Sequence, residues 1–418
     1  MNLTQKFSAW LPRIDQRLWI LIFGRLLSQV GTGFVMFYAA VFFVNQVGLS
    51  PSAVGFGIGS ESISGVVGRI VGGTLADSPR WGRRKILLIS AAISALADVV
   101  LTFSHDFPTF LLGNLLMGLG VGLYWPATEA VVADLTNLQN RSEAFALNRL
   151  ADSLGLGLGV VFGGWLIAAT GAYRAMFVID GISFTIFLAV IYKAIPETLN
   201  PHQVSLPALK GWAIALRDRP LLIFIPANIL FTTYLALLNT ALPLYLTQFV
   251  STTPAQTFNP AMLSLLFAWY IGLCVLCQLP VIRSLQRFSY PYALMLSALS
   301  WALGFVLIWN TGRVTNGHPL WAGLALAVMA IATVAYTPSA SSLIIHLAPE
   351  SLRGVYLSIN SLCWAAGYFV GPTIGGWAMG EPRAVADGFW IAALFSVAGV
   401  LLILQILAQH MQSPETSA

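Results

Sequence analysis

Twelve runs of about 20 or more mostly apolar residues, separated by short polar stretches, dictate the environment of this chain, because each is long enough to cross a hydrocarbon core as a helix. They fall near 17–45, 52–77, 85–104, 108–133, 143–169, 174–194, 220–249, 259–282, 289–310, 319–346, 353–379 and 386–409. Only 9% of the residues are charged and 57% are hydrophobic, with a mean hydropathy of +0.78, whereas soluble domains carry about 25% charged residues. The expected fold class is therefore an all-α integral membrane protein with twelve transmembrane helices. The net charge of +5 is no nucleic-acid footprint, because it is concentrated in the loops between spans.

The distribution of those loop charges sets an orientation. Gly73 to Lys85 reads Gly-Thr-Leu-Ala-Asp-Ser-Pro-Arg-Trp-Gly-Arg-Arg-Lys and places Arg80, Arg83, Arg84 and Lys85 within six residues. Short loops this rich in Lys and Arg stay on the cytoplasmic side. Of the 21 Lys and Arg, 15 lie on the side of that loop, three on the other (Arg174, Arg313, Arg383) and three inside spans (Arg25, Arg69, Arg149). Both termini are accordingly expected in the cytoplasm, with no cleavable signal sequence ahead of the first span. The stretch 195–219, with three Pro and three cations, reads as a cytoplasmic linker between a first half, 1–194, and a second half, 220–418.

An internal repeat supports the division. A shift of 212 residues aligns 124–165 with 336–377 without a gap and gives 11 identities in 42 positions, where average composition gives about 3. The pairs include Tyr124/Tyr336, Pro126/Pro338, Arg141/Arg353, Asn148/Asn360 and Trp165/Trp377. Gly155, Gly159 and Gly163 in span 5 match Gly367, Gly371 and Gly375 in span 11. Glycine at every fourth position gives a helix a stripe on which a neighbouring backbone can approach closely.

The loop also carries a signature. Gly73, Asp77, Arg80, Gly82, Arg83 and Arg84 resemble the Gly-x-x-x-Asp-Arg-x-Gly-Arg-Arg pattern between spans 2 and 3 of the major facilitator superfamily of secondary transporters, here with Ser78 and Pro79 inserted. The resemblance implies two pseudo-symmetric six-helix halves with a substrate site between them. It further implies gating by this loop, in which Asp77 meets the start of span 11 and Arg83 meets Asp134. Span 11 reads Gly367-x-x-x-Gly371-Pro372-x-x-Gly375-Gly376, similar to the antiporter-associated motif that the superfamily carries in span 5. The Arg that its drug and proton antiporters usually carry in span 4 is replaced here by Asn114.

Ionised groups inside a bilayer cost several kcal/mol unless paired or wet. The clear cases, Arg25, Glu61, Arg69, Asp98, Glu129, Arg149, Asp152 and Asp180, all fall in the first half. Glu129, Asp152, Glu61 and Arg149 are the candidates for proton coupling, Glu129 foremost because the resemblance makes span 4 a cavity-lining helix. Arg149 and Asp152, at i and i+3, are placed to pair on one face. A permanent Glu129–Arg149 pair that merely joins spans 4 and 5 is the competing reading. On spans that the resemblance assigns to the cavity, the substrate candidates are Gln29, Tyr38, Asn114, Trp125, Asn228, Tyr234, Asn239, Trp269, Tyr336, Asn360 and Trp364. Aromatic walls with scattered hydrogen-bonding groups favour amphipathic or cationic organic molecules.

Enzyme chemistry finds no foothold. Cys274-x-x-Cys277 lies within an apolar run without a second pair, and no phosphate-binding loop is present, so no metal or cofactor is expected. The expected function is secondary transport by alternating access in a plasma (inner) membrane: proton-coupled efflux of lipophilic or cationic organic compounds by a monomer. Its partners are then a small organic substrate, a proton or other coupling ion and the lipid bilayer, with no nucleic acid. Uptake of a small organic solute is the alternative, and a non-transporting membrane sensor or scaffold a more remote one.

Overall fold

The computed structural model describes residues 15–136, 141–199, 209–250, 258–285, 287–349 and 352–412. These residues form fifteen helices: α1 (Gln16–Met36), α2 (Ala39–Asn45), α3 (Pro51–Ala76), α4 (Gly82–Thr102), α5 (Phe107–Asp134), α6 (Arg141–Thr170), α7 (Arg174–Ala194), α8 (Leu209–Ala215), α9 (Arg219–Asn239), α10 (Ala241–Gln248), α11 (Pro260–Leu285), α12 (Tyr290–Arg313), α13 (His318–Leu347), α14 (Arg353–Met379) and α15 (Arg383–Gln412). With α1/α2 and α9/α10 each counted as one interrupted span, and the short α8 set aside, twelve spans result. Ten are apolar enough to cross a membrane on composition alone. The other two, α3 and α14, have 26 and 27 residues and the length to span, but Gly, Ser and charges dilute them.

The chain forms two units: residues 1–36 with 63–203, and residues 37–62 with 204–418. Helix α3 is thus divided, its first half packing with the second unit. Within the stretch 195–219, residues 200–208 lie outside those described.

The repeat is visible in the packing of each unit taken by itself. In lipid, where apolar contact with the bilayer costs nothing, helices associate through close van der Waals fit and buried polar contacts. The first unit seats the Gly155/Gly159/Gly163 stripe of α6 on α1, where a Cβ on Gly159 would stand 2.8 Å from Gly33 Cα. The second seats Gly367/Gly371/Gly375 of α14 on α9, where a Cβ on Gly371 would meet that of Ala236 at 2.8 Å. Ser90 on α4 donates to the Gly120 carbonyl of α5 at 2.8 Å, and Ser297 on α12 donates to the Ala332 carbonyl of α13 at 2.7 Å. Arg174, opening α7, donates to the Thr102 and Ser104 carbonyls that end α4. Arg383, opening α15, donates to the Gly312 carbonyl near the end of α12. A cation at a helix C-terminus satisfies the last carbonyls and the helix dipole together.

The interruption between α9 and α10 has a local cause. Pro243 has no N–H for the Asn239 carbonyl four residues earlier, and the chain leaves the helical path at Thr240 (φ −126°, ψ −67°). At the start of α5, Asp106 is the N-cap and accepts from the Thr109 amide and hydroxyl at 2.9 and 2.7 Å. Those two bonds hold its carboxyl below the ordinary aspartate range.

Candidate functional site

The first unit has a charged centre deep in its helices. Arg25 on α1 donates through Nε to Asp152 on α6 at 2.7 Å, with side chains only 6% and 15% exposed. Its guanidinium lies over the Tyr124 ring at 4.1 Å and the Trp125 ring at 5.5 Å, both on α5. One cation thereby joins three helices through a charged hydrogen bond and two aromatic faces, a use suited to the planar guanidinium. This described partner of Asp152 is 127 residues away in the chain, beyond the reach of the i, i+3 spacing that singled out Arg149. The side chain of Arg149 lies outside those described. Glu129 on α5 is exposed and faces Arg69 of α3 electrostatically. Asn114 is turned back on its own helix, donating to the Phe110 carbonyl at 2.8 Å. Gln29 is half-buried on α1, with its Cβ against Gly155 of α6.

The second unit has a neutral centre built from amides and aromatic rings. Asn228 on α9 donates to Asn360 on α14 at 2.8 Å and accepts from the Tyr336 hydroxyl of α13 at 2.5 Å. Tyr336 stacks on Phe231 at 4.6 Å and lies 6.3 Å from Trp364, which stacks at 5.8 Å on Tyr368. Tyr368 lies near Asn239 and within electrostatic reach of Glu61, on the half of α3 that packs with this unit. Asn228, Tyr336, Asn360 and Trp364, picked from the sequence on three different spans, are therefore one connected network, with Asn239 beside Tyr368 at its edge. Tyr368 belongs to it and escaped the sequence reading, although Asn360, Trp364 and Tyr368 recur at the four-residue spacing that aligns side chains on a helix.

Three further candidates lie elsewhere. Tyr234 faces the opposite side of α9, bonded to Ser396 at 2.7 Å and enclosed by Trp301 and Phe305. Trp269 is 49% exposed and donates to the Gly323 carbonyl. Tyr38 is fully buried at the start of α2, beside the residue that stacks on Phe267. A buried acid in the second half also went unnoticed: Asp387 on α15 is 8% exposed, accepts from Tyr245 at 2.6 Å and lies 3.8 Å from Arg383. It is the second residue of the last apolar run, 386–409, and was not among the charges assigned to spans.

The basic loop is a second, ordered constellation within the first unit. Arg83 is buried and pairs with Asp134 at the end of α5. It also donates to the Ala130 carbonyl at 3.2 Å and lies 3.8 Å from Asp77. Gly82 turns the chain with φ +73°, a conformation in which a side chain is strained. Arg84 reaches the Tyr192 carbonyl at 2.6 Å, and Lys85 donates to the Arg80 carbonyl at 3.1 Å. A Cβ added at Gly73 would stand 3.7 Å from that of Pro126, in ordinary contact. What the sequence concealed is Glu197, whose carboxylate accepts from the backbone N–H groups of Arg83, Arg84, Thr198 and Leu199 at 3.0 to 3.2 Å. An anion at a helix start satisfies amides that have no partner within the helix. Glu197→Ala is thus expected to loosen the start of α4, read as faster amide exchange at 83–86 with no change in the α9–α14 contact. Unchanged exchange there would mean that the loop holds its shape without Glu197.

Comparison with known proteins places these features. The family model described as Major Facilitator Superfamily matches residues 21–255 and 249–417. Among curated proteins, the "Multidrug resistance protein MdtH" of Photorhabdus laumondii is 25% identical over 400 residues, 94% of each chain. The "Uncharacterized MFS-type transporter YttB" of Bacillus subtilis is 21% identical over 390 residues, 93% of this chain and 92% of the relative. Among solved structures, the nucleoside transporter NupG superposes with a TM-score of 0.76 at 15% identity, covering 96% of this chain and all of NupG. A D-xylose-proton symporter does so with 0.73 at 19% identity, covering 93% and 96%. From the twelve spans, the repeat-matched packing, the ordered Asp77–Arg83–Asp134 loop and a family match over nearly the whole length, the chain belongs to the major facilitator superfamily of membrane transporters.

Proposed function

We propose that this transporter exports lipophilic or cationic organic compounds in exchange for protons. The observation that carries the reading is the Asn228–Tyr336–Asn360 network, continued by Trp364 and Tyr368. Rings offer π faces to a delocalised cation or apolar body, and amides orient its polar edge, with no fixed positive charge among them to repel it. Glu61 nearby adds a negative potential of the right sign. The similarity to proteins named for multidrug resistance supports the same substrate class. In this reading the Asp77–Arg83–Asp134 loop gates the cytoplasmic end, and the protein works as a monomer in the plasma membrane with both termini inside.

The test is flux in proteoliposomes loaded with acidic buffer, with ethidium as probe. Ethidium is expected to accumulate against its gradient only while the pH difference lasts, and to stop when a protonophore is added. Tyr336→Phe and Asn228→Ala are expected to weaken ethidium binding, because each removes one partner of a buried hydrogen bond, worth about 1–3 kcal/mol. Ethidium movement indifferent to the pH difference would defeat the exchange reading, and facilitated entry of a small neutral solute would put uptake in its place.

A further inference from the structure

A pocket of about 490 Å³ lies in the second unit where α11 ends, α12 and the turn before it begin, and α13 and α15 end. Counting crossings along the chain, this end faces the same side as the basic Gly73–Lys85 loop. The polar part of its wall is Ser339, Ser342 and His346, at i, i+3 and i+7 on one face of α13, together with Ser289. The apolar part includes Leu285, Phe288 and Met411. No acidic side chain contributes to the lining. Arg283 and Arg287 are exposed and flank it in the chain, one next to Ile282 of the wall and the other next to Phe288.

We propose that this pocket holds the headgroup of an anionic phospholipid. The hydroxyls and the imidazole supply hydrogen-bond donors for phosphate oxygens, and the two arginines supply the charge. The pocket sits at the ends of the spans, the depth of the headgroup layer. A lipid rather than a soluble phosphate is the occupant because the rim continues into an apolar track. Tyr292, Leu296, Leu299 and Leu303 are all exposed and recur three or four residues apart, one stripe up α12, with exposed Phe288 of the pocket wall just ahead of it. An acyl chain laid on that stripe keeps its headgroup in the pocket.

The inference rests on the basic side facing the anionic leaflet, which protease access to the Gly73–Lys85 loop in sealed vesicles checks separately. The test of the pocket itself is native mass spectrometry of the full-length protein in detergent, with phosphatidylglycerol and phosphatidylcholine of equal chain length. Wild type is expected to retain phosphatidylglycerol preferentially. Arg283→Ala with Arg287→Ala is expected to reduce that preference roughly thirtyfold, at about 1 kcal/mol for each arginine near the headgroups. Equal retention of the two lipids, or an undiminished preference in the variant, would overturn the proposal. Displacement of phosphatidylglycerol by millimolar glycerol phosphate would do so too, by showing a site for a soluble anion. If the double variant cannot be purified, a photoactivatable phosphatidylglycerol on wild type decides: label within 282–293 or 339–346 supports the pocket, and label only elsewhere refutes it.

Discussion

Replacing Arg25 by methionine is expected to cost about 3–5 kcal/mol of stability, because it leaves Asp152 as an uncompensated charge among helices. The pair is 2.7 Å apart and mostly shielded from solvent, and the cation also lies over Tyr124 and Trp125. Neutralising both partners removes the uncompensated charge, so Arg25→Met with Asp152→Asn should recover most of the loss. Arg25→Lys should fall between the two: it keeps the charge but gives up the planar stacking on Tyr124. The measurement is the midpoint of thermal unfolding in detergent for the two single variants, the double variant and Arg25→Lys. A midpoint for Arg25→Met equal to wild type would show that the contact holds nothing together. A double variant no better than the single would assign the loss to the aromatic contacts instead.

What the sequence made legible here followed from periodicity and length. Apolar runs of spanning length appear as helices because the bilayer forces every backbone group to bond within its own segment. The 212-residue repeat reappears as paired glycine seats, and serine bonds and arginine caps at 207 and 209 residues' separation extend the likeness of the halves beyond the aligned segment. Contacts remote in sequence were harder to read. Spacing offered Arg149 to Asp152, whereas nothing in the sequence pointed to the bond that Arg25 of α1 makes to the same carboxylate. Glu197 bonds backbone amides 113 and 114 residues away, and a backbone amide carries no sequence signal. Aromatic candidates divided by helix face: Tyr336 bonds Asn228 and has Trp364 beside it, while Tyr234, six residues after Asn228 on the same helix, turns to Ser396, Trp301 and Phe305. Pro243 marks the interruption of the seventh span plainly, whereas no proline marks the corresponding one between α1 and α2.

The second large effect concerns coupling, and Glu129→Gln is expected to abolish uphill transport while leaving substrate binding intact. A coupling carboxylate has to exchange its proton with water and feel a cation that comes and goes. Asp152 is poorly placed for that, enclosed and held by Arg25. Glu129 is exposed on α5, with Arg69 as its described electrostatic partner. Loss of its charge frees Arg69, so protonation of Glu129 switches the charge pairing between α3 and α5 and biases the conformational step of exchange without a direct contact to the substrate. The 212-residue repeat puts Ser341 opposite Glu129, so the second half offers no duplicate carboxylate at that position. In proteoliposomes the variant should equilibrate ethidium without concentrating it, and its ethidium affinity by tryptophan quenching should match wild type. If Glu129→Gln instead unfolds and Arg69→Gln restores it, the two residues are a structural pair. Undiminished uphill transport in the folded variant would move the coupling role to Asp152 or Glu61.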